Sequence, residues 1–194
     1  MPRSMNREDI DEAIRQYATA VGYIVYEWNL LHERLGQIFA LIHPEGKDVA
    51  LADWYSKYND TVLREKLRKA VSNSDFSKTI YKDKLQQELL WILKECCVLA
   101  DDRNRAIHAP AIAHIDFRRD IITDVKPFDV FGHPRAKEFK GKDLLKELES
   151  YSQTARILGK YSEAVQGAIQ FPMTNGLPMR PKLSAHGPED CQSS

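Results

Sequence analysis

The residues best suited to chemistry lie at the end of a helix-like run, in the segment DDRNRAIHAP from Asp101 to Pro110. Arg103 carries a permanent charge and a planar set of donors that fits a phosphate group. His108 titrates near neutral pH and can give or take a proton. Asn104 lies one helical turn before His108, so its amide can reach the imidazole and fix the tautomer. This set could bind a phosphodiester, neutralise its developing charge and move a proton, but it supplies no metal ligands.

The same residues have a structural interpretation. Arg and His side chains near a helix C-terminus interact favourably with the helix dipole, by about 0.3–1 kcal/mol each when exposed. Asn and His at the edge of a core can also cap the last carbonyl groups. An Arg-x4-His spacing arises often by chance. The spacing alone therefore favours a structural role.

Apolar residues at helical spacing predict the elements that position this motif, which together form an all-α, up-and-down helical bundle in one domain over residues 8–170. The motif closes a long helix, which Pro110 stops. The predicted helices cover residues 8–42, 49–57, 61–71, 78–108 and 142–170.

The helix predicted over 78–108 has a main apolar face, whose residues we count from Leu90. It consists of Leu85, Leu89, Leu90, Ile92, Leu93, Cys96, Cys97, Ala100 and Ile107. Asn104 is expected inside this face, with Arg103 near one border and His108 near the other. A position beside an apolar surface lowers the local dielectric and strengthens the effect of these groups on a bound anion.

Trp91 and Val98 form a second apolar stripe on the polar side of the same helix. A helix with two apolar stripes usually has a second neighbour, in the same chain or in a partner subunit. We expect a homodimer in which the Arg103–His108 ends approach one another.

The segment 111–141 breaks the helical period. Its first half has β-branched residues around a polar RRD centre, which predicts a short β-hairpin. The basic loop that follows, His133 to Lys146, has five basic side chains against two acidic ones, and Phe131 and Phe139 could stack on bases. It is a candidate RNA-binding surface or a solvated charged loop, and its candidate RNA-binding residues are Arg135, Lys137, Lys140 and Lys142.

Residues 171–194 form a tail that contains four of the nine prolines and no hydrophobic period. Such a segment is expected to be flexible or to lie over the surface.

Composition excludes several classes of function. Lys+Arg and Asp+Glu both number 28, so any attraction to phosphate must come from a local patch. The sequence has no membrane-span-like run and no apolar signal-peptide core near its start, so we expect a cytoplasmic protein that does not enter a membrane. Three cysteines, with Cys96 and Cys97 adjacent, give no disulfide framework and no metal-ligand spacing. We expect buried thiols and no cofactor or metal.

Arg-Asn-x-x-x-His at the end of a long helix, followed by a small residue and a proline, resembles the hallmark of the HEPN domain (higher eukaryotes and prokaryotes nucleotide-binding). That hallmark is an Arg and a His separated by four to six residues, with a polar residue, often Asn, after the Arg. It is matched here by Arg103, Asn104 and His108. The likeness extends over about residues 8–170. The stretch Trp-Asn-x-Leu-His-Glu-x-Leu-Gly, Trp28 to Gly36, looks like the first long helix of a bacterial HEPN-like family, and residues 111–141 would be a family insertion.

The resemblance implies a metal-independent endoribonuclease that works as a symmetric dimer, with the paired motifs in a cleft between subunits. The RNA 2′-hydroxyl would attack the adjacent phosphate and leave a 2′,3′-cyclic phosphate and a 5′-hydroxyl. His108 would transfer protons, Arg103 would stabilise the phosphorane and Asn104 would orient the site. Many family members are toxins or act in defence against phage, which makes an antitoxin protein a candidate partner. Others keep the bundle as non-catalytic modules that bind RNA, a nucleotide or a protein.

His32, Glu33 and Asp102 are candidates for supporting roles. A second helix could bring His32 or Glu33 near Arg103 in an acid–base or ion-pair network. The alternative is a histidine satisfied at the edge of the core. A bundle in which Arg103 and His108 are purely structural also stays open.

Overall fold

The computed structural model describes residues 7–57, 59–76, 81–109, 111–116, 121–127, 134, 137, 139–172 and 176–183. The described chain is mostly helical, which confirms the predicted helical class, and every predicted helix overlaps an observed one. Its elements are α1 (Arg7–Ile42), α2 (Lys47–Tyr55), α3 (Asp60–Asn73), α4 (Lys82–Ile107), β1 (Ala111–Asp116), β2 (Ile121–Pro127) and α5 (Leu144–Gln170).

The chain divides into two compact units. The motif unit consists of Met1–Tyr26 and Ala100–Gln153, and the core unit consists of Glu27–Leu99 and Thr154–Ser194. Helices α1, α4 and α5 each contribute residues to both units.

Hydrophobic burial stabilises the core unit. Apolar residues recur every three or four positions along α1, α3, α4 and α5, so each helix has one face to bury. Full burial of one such side chain contributes about 1.5–3 kcal/mol. The fully buried residues include Leu31, Leu35, Ile38, Leu67, Leu85, Leu89, Ile92, Leu93, Leu158 and Val165. In the described part of the chain, none of the helices combines the length and the apolar character that a membrane span requires.

Local signals fix where α2 and α3 begin. Gly46 precedes α2 with a φ of 93°, a conformation that favours glycine. Asn59 caps α3, because its Oδ1 accepts hydrogen bonds from the backbone N–H groups of Thr61 at 2.8 Å and Val62 at 3.4 Å.

The buried face of α4 is turned relative to the prediction. Leu90, a member of the predicted face, is 36% exposed, whereas Leu99 and Ala106 are buried although they lie outside the predicted face. Glu88, a charged residue that a pattern of apolar residues leaves out, is also buried on the observed face. The prediction that Asn104 lies inside the apolar face is therefore wrong, and Asn104 is exposed.

Strands β1 and β2 pair antiparallel, with Ala111 opposite Pro127 and Asp116 opposite Ile121. The register shifts between His114 and Ile115. The strands occupy the segment for which the sequence predicts a hairpin. Residues 117–120, which would form its turn, lie outside the described residues.

Candidate functional site

The Arg-Asn-x-x-x-His motif belongs to the motif unit and closes α4. Arg103 and Asn104 lie in the last turn of the helix, and His108 follows its last residue. The backbone N–H of His108 donates to the carbonyl oxygen of Asn104 at 3.2 Å, and that of Ala109 donates to Ala106 at 3.3 Å. The helical hydrogen bonds therefore continue to His108, and the turn ends at the residue before Pro110.

Arg103 and His108 lie in different environments. Arg103 is half-buried between Ala100 and Ala106, which lie three residues before and after it and are both buried. Asn104 and His108 are exposed. Five residues correspond to about 140° around an α-helix. The helical geometry thus separates the guanidinium from the imidazole within one chain.

The predicted contact between Asn104 and His108 is absent from the described structure. No hydrogen bond joins the Asn104 amide to the His108 imidazole among the residues that the structure describes. The amide lies one turn before the imidazole without fixing its tautomer. Both side chains remain accessible to a ligand.

A cluster of polar side chains accompanies the motif in the same unit. Asp102 accepts a hydrogen bond from Arg105 Nη2 at 2.5 Å within the last turns of α4. On α5, the Tyr151 hydroxyl donates to Glu147 Oε2 at 2.8 Å. Burial raises the pKa of Tyr151, and the hydrogen bond to Glu147 raises it further, with Asp102 adding in the same direction and Arg105 opposing. Asp102 is therefore held in an ion pair, and Tyr151 stays protonated in the physiological range.

His32 belongs to the core unit and has defined partners there. It is 8% exposed, and its Nδ1 lies 3.2 Å from the carbonyl oxygen of Trp28. A carbonyl oxygen only accepts, so Nδ1 carries the proton and Nε2 accepts from Arg64 Nη1 at 3.3 Å. Arg64 also lies with its Cζ 5.6 Å from the Trp28 ring centroid. The contacts that the structure shows for His32 place its Nε2 as an acceptor for a buried arginine.

Glu33 is tied to α2. Its Oε2 accepts from the Tyr55 hydroxyl at 2.5 Å, and its Oε1 accepts from Gln37 at 3.2 Å. Burial and this hydrogen bond raise the pKa of Tyr55 to about 12. Glu33 thus connects α1 to α2.

The stretch Trp28 to Gly36 has contacts with α2 and α3 along its length. Trp28 Nε1 donates to Asp60 Oδ2 at 2.7 Å at the start of α3. Gly36 lies so close to α2 that an added Cβ would be 2.7 Å from Trp54 Nε1. Trp28, His32, Glu33 and Gly36 therefore each have a structural role in the contacts with α2 and α3.

The basic loop offers exposed lysines. Lys137, Lys140 and Lys142 are exposed, whereas Arg135 and Phe131 lie outside the described residues. Phe139 is only 3% exposed, so the expectation that it stacks on bases is wrong. Phe139 is one of the buried hydrophobic residues of the motif unit. Lys142 Nζ lies 5.4 Å from the centroid of its ring. Any RNA contact here would rest on charge.

Within the described ranges, no group of three or more His, Cys, Asp or Glu residues could hold a metal ion. Comparisons with protein-family models, with curated proteins and with solved structures give no significant match to this chain.

Among the described residues, three buried charged side chains were not identified from the sequence. Glu27 is buried on α1, Arg64 on α3 and Glu88 on α4. Glu27 pairs with Arg156 and Glu88 with Arg180, both of which are distant in sequence. Partners distant in sequence, which decide whether a charge can be buried, leave no local spacing pattern.

Proposed function

We propose that this chain is a HEPN-like ribonuclease that cleaves RNA without a metal ion, through Arg103 and His108. The observation that carries the proposal is the exposed imidazole of His108 at the end of α4, one turn after the exposed Asn104. A side chain that exchanges protons with RNA must be reachable by solvent and by substrate, and His108 is.

The proposed reaction forms a bond between the RNA 2′-oxygen and phosphorus and breaks the bond between phosphorus and the 5′-oxygen. An imidazole takes the proton of the 2′-hydroxyl, and an imidazolium gives a proton to the departing 5′-oxygen. The products are a 2′,3′-cyclic phosphate and a 5′-hydroxyl. A guanidinium stabilises the charge that develops on the phosphorane oxygens.

A second copy of the chain could bring an arginine and a histidine of the motif together. Arg103 and His108 are separated by about 140° around one helix, so one chain presents them toward different directions. In a symmetric pair, His108 of one copy can face Arg103 of the other, and two imidazoles supply the base and the acid. The proposed enzyme is therefore a homodimer, with an antitoxin protein as a further candidate partner.

One observation favours the alternative, a non-catalytic HEPN-like module that binds RNA, a nucleotide or a protein. Arg103 is half-buried between two buried alanines, as expected of an arginine that also stabilises the fold. Exposed Lys137, Lys140 and Lys142 can hold a phosphate backbone without any chemistry.

The decisive experiment incubates the purified protein with mixed RNA in EDTA and determines the ends of the fragments. We expect 2′,3′-cyclic phosphate and 5′-hydroxyl ends. His108→Ala should slow cleavage by about 10²–10⁴-fold through loss of proton transfer. Arg103→Ala should slow it by about 10²–10³-fold, and Arg103→Lys should restore little because an ammonium lacks the planar fork. Asn104→Ala should have a milder effect.

Matched controls are His43→Ala and Arg15→Ala, which remove the same residue types outside the motif. Both should cleave like the wild type. His108→Ala and Asn104→Ala should also keep the wild-type melting temperature, since both side chains are exposed. RNA that is bound but never cut would support the binding module. Fragments with 5′-phosphate ends, or cleavage unchanged in His108→Ala, would contradict the proposed mechanism.

A further inference from the structure

A buried carboxylate in the core unit is surrounded by groups that recognise a guanidinium. The Glu88 side chain is 8% exposed, and its Oε2 accepts from the Tyr161 hydroxyl at 2.7 Å and from Arg180 Nε at 2.6 Å. Trp91 and Tyr161 meet edge to face, with their ring centroids 5.5 Å apart. Arg180 lies with its Cζ 5.4 Å from the Trp91 ring centroid. The cation thus meets a carboxylate and an aromatic face at the same time.

A cation beside Glu88 keeps this carboxylate ionised, because an isolated buried carboxylate is costly and would otherwise take up a proton. Burial by itself would raise the pKa of Glu88, but the hydrogen bonds from Arg180 and Tyr161 outweigh burial and hold that pKa below its usual value. Lys84, one turn earlier on α4, acts in the same direction. Without Arg180, Glu88 would keep the neutral hydroxyl of Tyr161 as a donor and lose its ion pair.

The contacts at Glu88 and Trp91 suit the two basic side chains differently. An arginine donates through Nε while its planar group lies against an aromatic ring. A lysine ammonium is a compact, strongly hydrated charge and cannot make both contacts in the same way. The geometry therefore favours an arginine.

The segment that supplies Arg180 is suited to reversible binding. Pro178 and Pro181 flank the arginine, and residues 176–183 are neither helix nor strand. Proline restricts the free segment, so less conformational entropy is lost when it binds. Met179 is 93% exposed and Arg180 is 44% exposed, so the segment is held through its arginine more than through apolar burial.

We propose that Glu88, Trp91 and Tyr161 form a binding site for an arginine side chain presented by an extended, proline-flanked peptide, and that residues 176–183 are its tethered occupant. The Tyr161 hydroxyl lies 3.5 Å from the carbonyl oxygen of Pro178, which adds a backbone contact to the arginine contacts. A peptide of the same chemistry competes with the tail. Since the site lies wholly within the core unit, the proposal does not depend on any activity toward RNA.

The test uses the full-length chain and a fluorescein-labelled peptide of sequence GLPMRPKL, which copies residues 176–183. Arg180→Ala empties the site, so this variant should bind the peptide in a fluorescence anisotropy titration. The wild type should bind it about tenfold more weakly or worse, because its tethered tail competes at an effective concentration of about millimolar. The same peptide with lysine in place of arginine should bind clearly more weakly.

Two further variants distinguish a loss of peptide binding from a failure to fold. Arg180→Lys keeps a cation beside Glu88, and it should fold and bind the peptide more tightly than the wild type does. The double variant Glu88→Gln/Arg180→Ala removes both charges, and it should fold and show no binding. Lys182→Ala, which removes a neighbouring exposed cation, is the matched control and should behave like the wild type.

Several results would overturn the proposal. These are equal affinity of the wild type and Arg180→Ala, equal affinity for the arginine and lysine peptides, and binding that survives Glu88→Gln. Absence of binding to folded Arg180→Ala at millimolar peptide would overturn it as well.

Discussion

His32 and His108 show how two residues of the same type come to have different roles. His32 is buried, and both of its ring nitrogens have partners, the Trp28 carbonyl and the Arg64 guanidinium. His108 is exposed at the end of α4. Spacing within one helix cannot separate these cases, because the partners of His32 come from its own backbone and from a different helix. For these two histidines, position at a helix end predicted solvent exposure better than spacing within the helix did.

Cys96 and Cys97 are adjacent in sequence but differ in burial. Cys96 is fully buried on α4, and burial raises its pKa to about 12, with Arg64 acting in the opposite direction. Compared with a free cysteine of pKa about 8.5, its thiolate fraction at neutral pH falls on the order of 10³-fold. Cys97 is half-buried, and its Sγ lies 3.7 Å from Arg68 Nη2. We expect iodoacetamide to alkylate Cys97 well before Cys96 in the native protein.

The measurement is tandem mass spectrometry of the peptide that contains both cysteines, after timed alkylation at pH 8. The control is the same reaction in guanidinium chloride, where the two thiols should react at similar rates. Native Cys96 reacting as fast as Cys97 would show that its burial is not maintained in solution.

Among the elements, the helices were the part of the fold that the sequence predicted best. Their apolar residues recur at helical spacing over many turns, and proline and glycine mark several of the ends. The face of α4 was misplaced, and Glu88 is buried on the observed face with its cation partner supplied by Arg180. A pattern of apolar residues cannot include a charged residue whose partner lies 92 positions away.

The contact between α1 and α2 depends on Gly36. A Cβ at this position would lie 2.7 Å from Trp54 Nε1 and 3.0 Å from its Cδ1. Trp54 is buried and packs on Phe39, with ring centroids 5.5 Å apart, so the indole has little room to move. Alanine gains about 1 kcal/mol over glycine in a helix, but overpacking of a core costs about 1–3 kcal/mol. We expect Gly36→Ala to lower the free energy of unfolding.

Gly22→Ala is the matched control for this prediction. Gly22 lies on the same helix, and a Cβ there would meet no atom within 4 Å. This substitution should raise stability by up to about 1 kcal/mol through helix propensity. Urea denaturation should therefore shift the two midpoints in opposite directions. Stabilisation by both substitutions would contradict the close approach of α1 and α2.

At the scale of the whole molecule, the tail and the assembly were the least predictable features. The sequence predicts a flexible or surface-lying tail. In its described part, residues 176–183, Arg180 contacts Glu88 on α4 and the Pro178 carbonyl contacts Tyr161 on α5. Trp91, on which the dimer prediction was based, is in contact with Tyr161 and Arg180 of its own chain. The apolar stripe of Trp91 and Val98 is therefore not evidence for a dimer. The prediction of a homodimer rests on the proposed ribonuclease site alone.

The pH dependence of stability should reveal the contact between the tail and α4. Arg180 and Tyr161 hold the pKa of Glu88 below its ordinary value despite burial. The unfolded chain takes up the proton near pH about 4.3, before the folded chain does. The stabilising contribution is therefore present above that pH, and it is lost as the pH falls through the lower pKa of the folded state. Arg180 stays charged over this whole pH range, so the loss of stability is caused by protonation of Glu88.

The experiment compares the melting temperatures of the wild type and Glu88→Gln/Arg180→Ala between pH 7 and pH 3. The wild type should be the more stable protein at pH 7, and the difference should shrink once the pH falls below about 4.3. Other carboxylates titrate in both proteins, so their contribution largely cancels in the difference. Glu149→Gln, which removes an exposed carboxylate on α5, should keep the wild-type profile. A difference that stays constant down to pH 3 would mean that the ion pair with Arg180 does not stabilise the fold, and that the tail is held by other contacts.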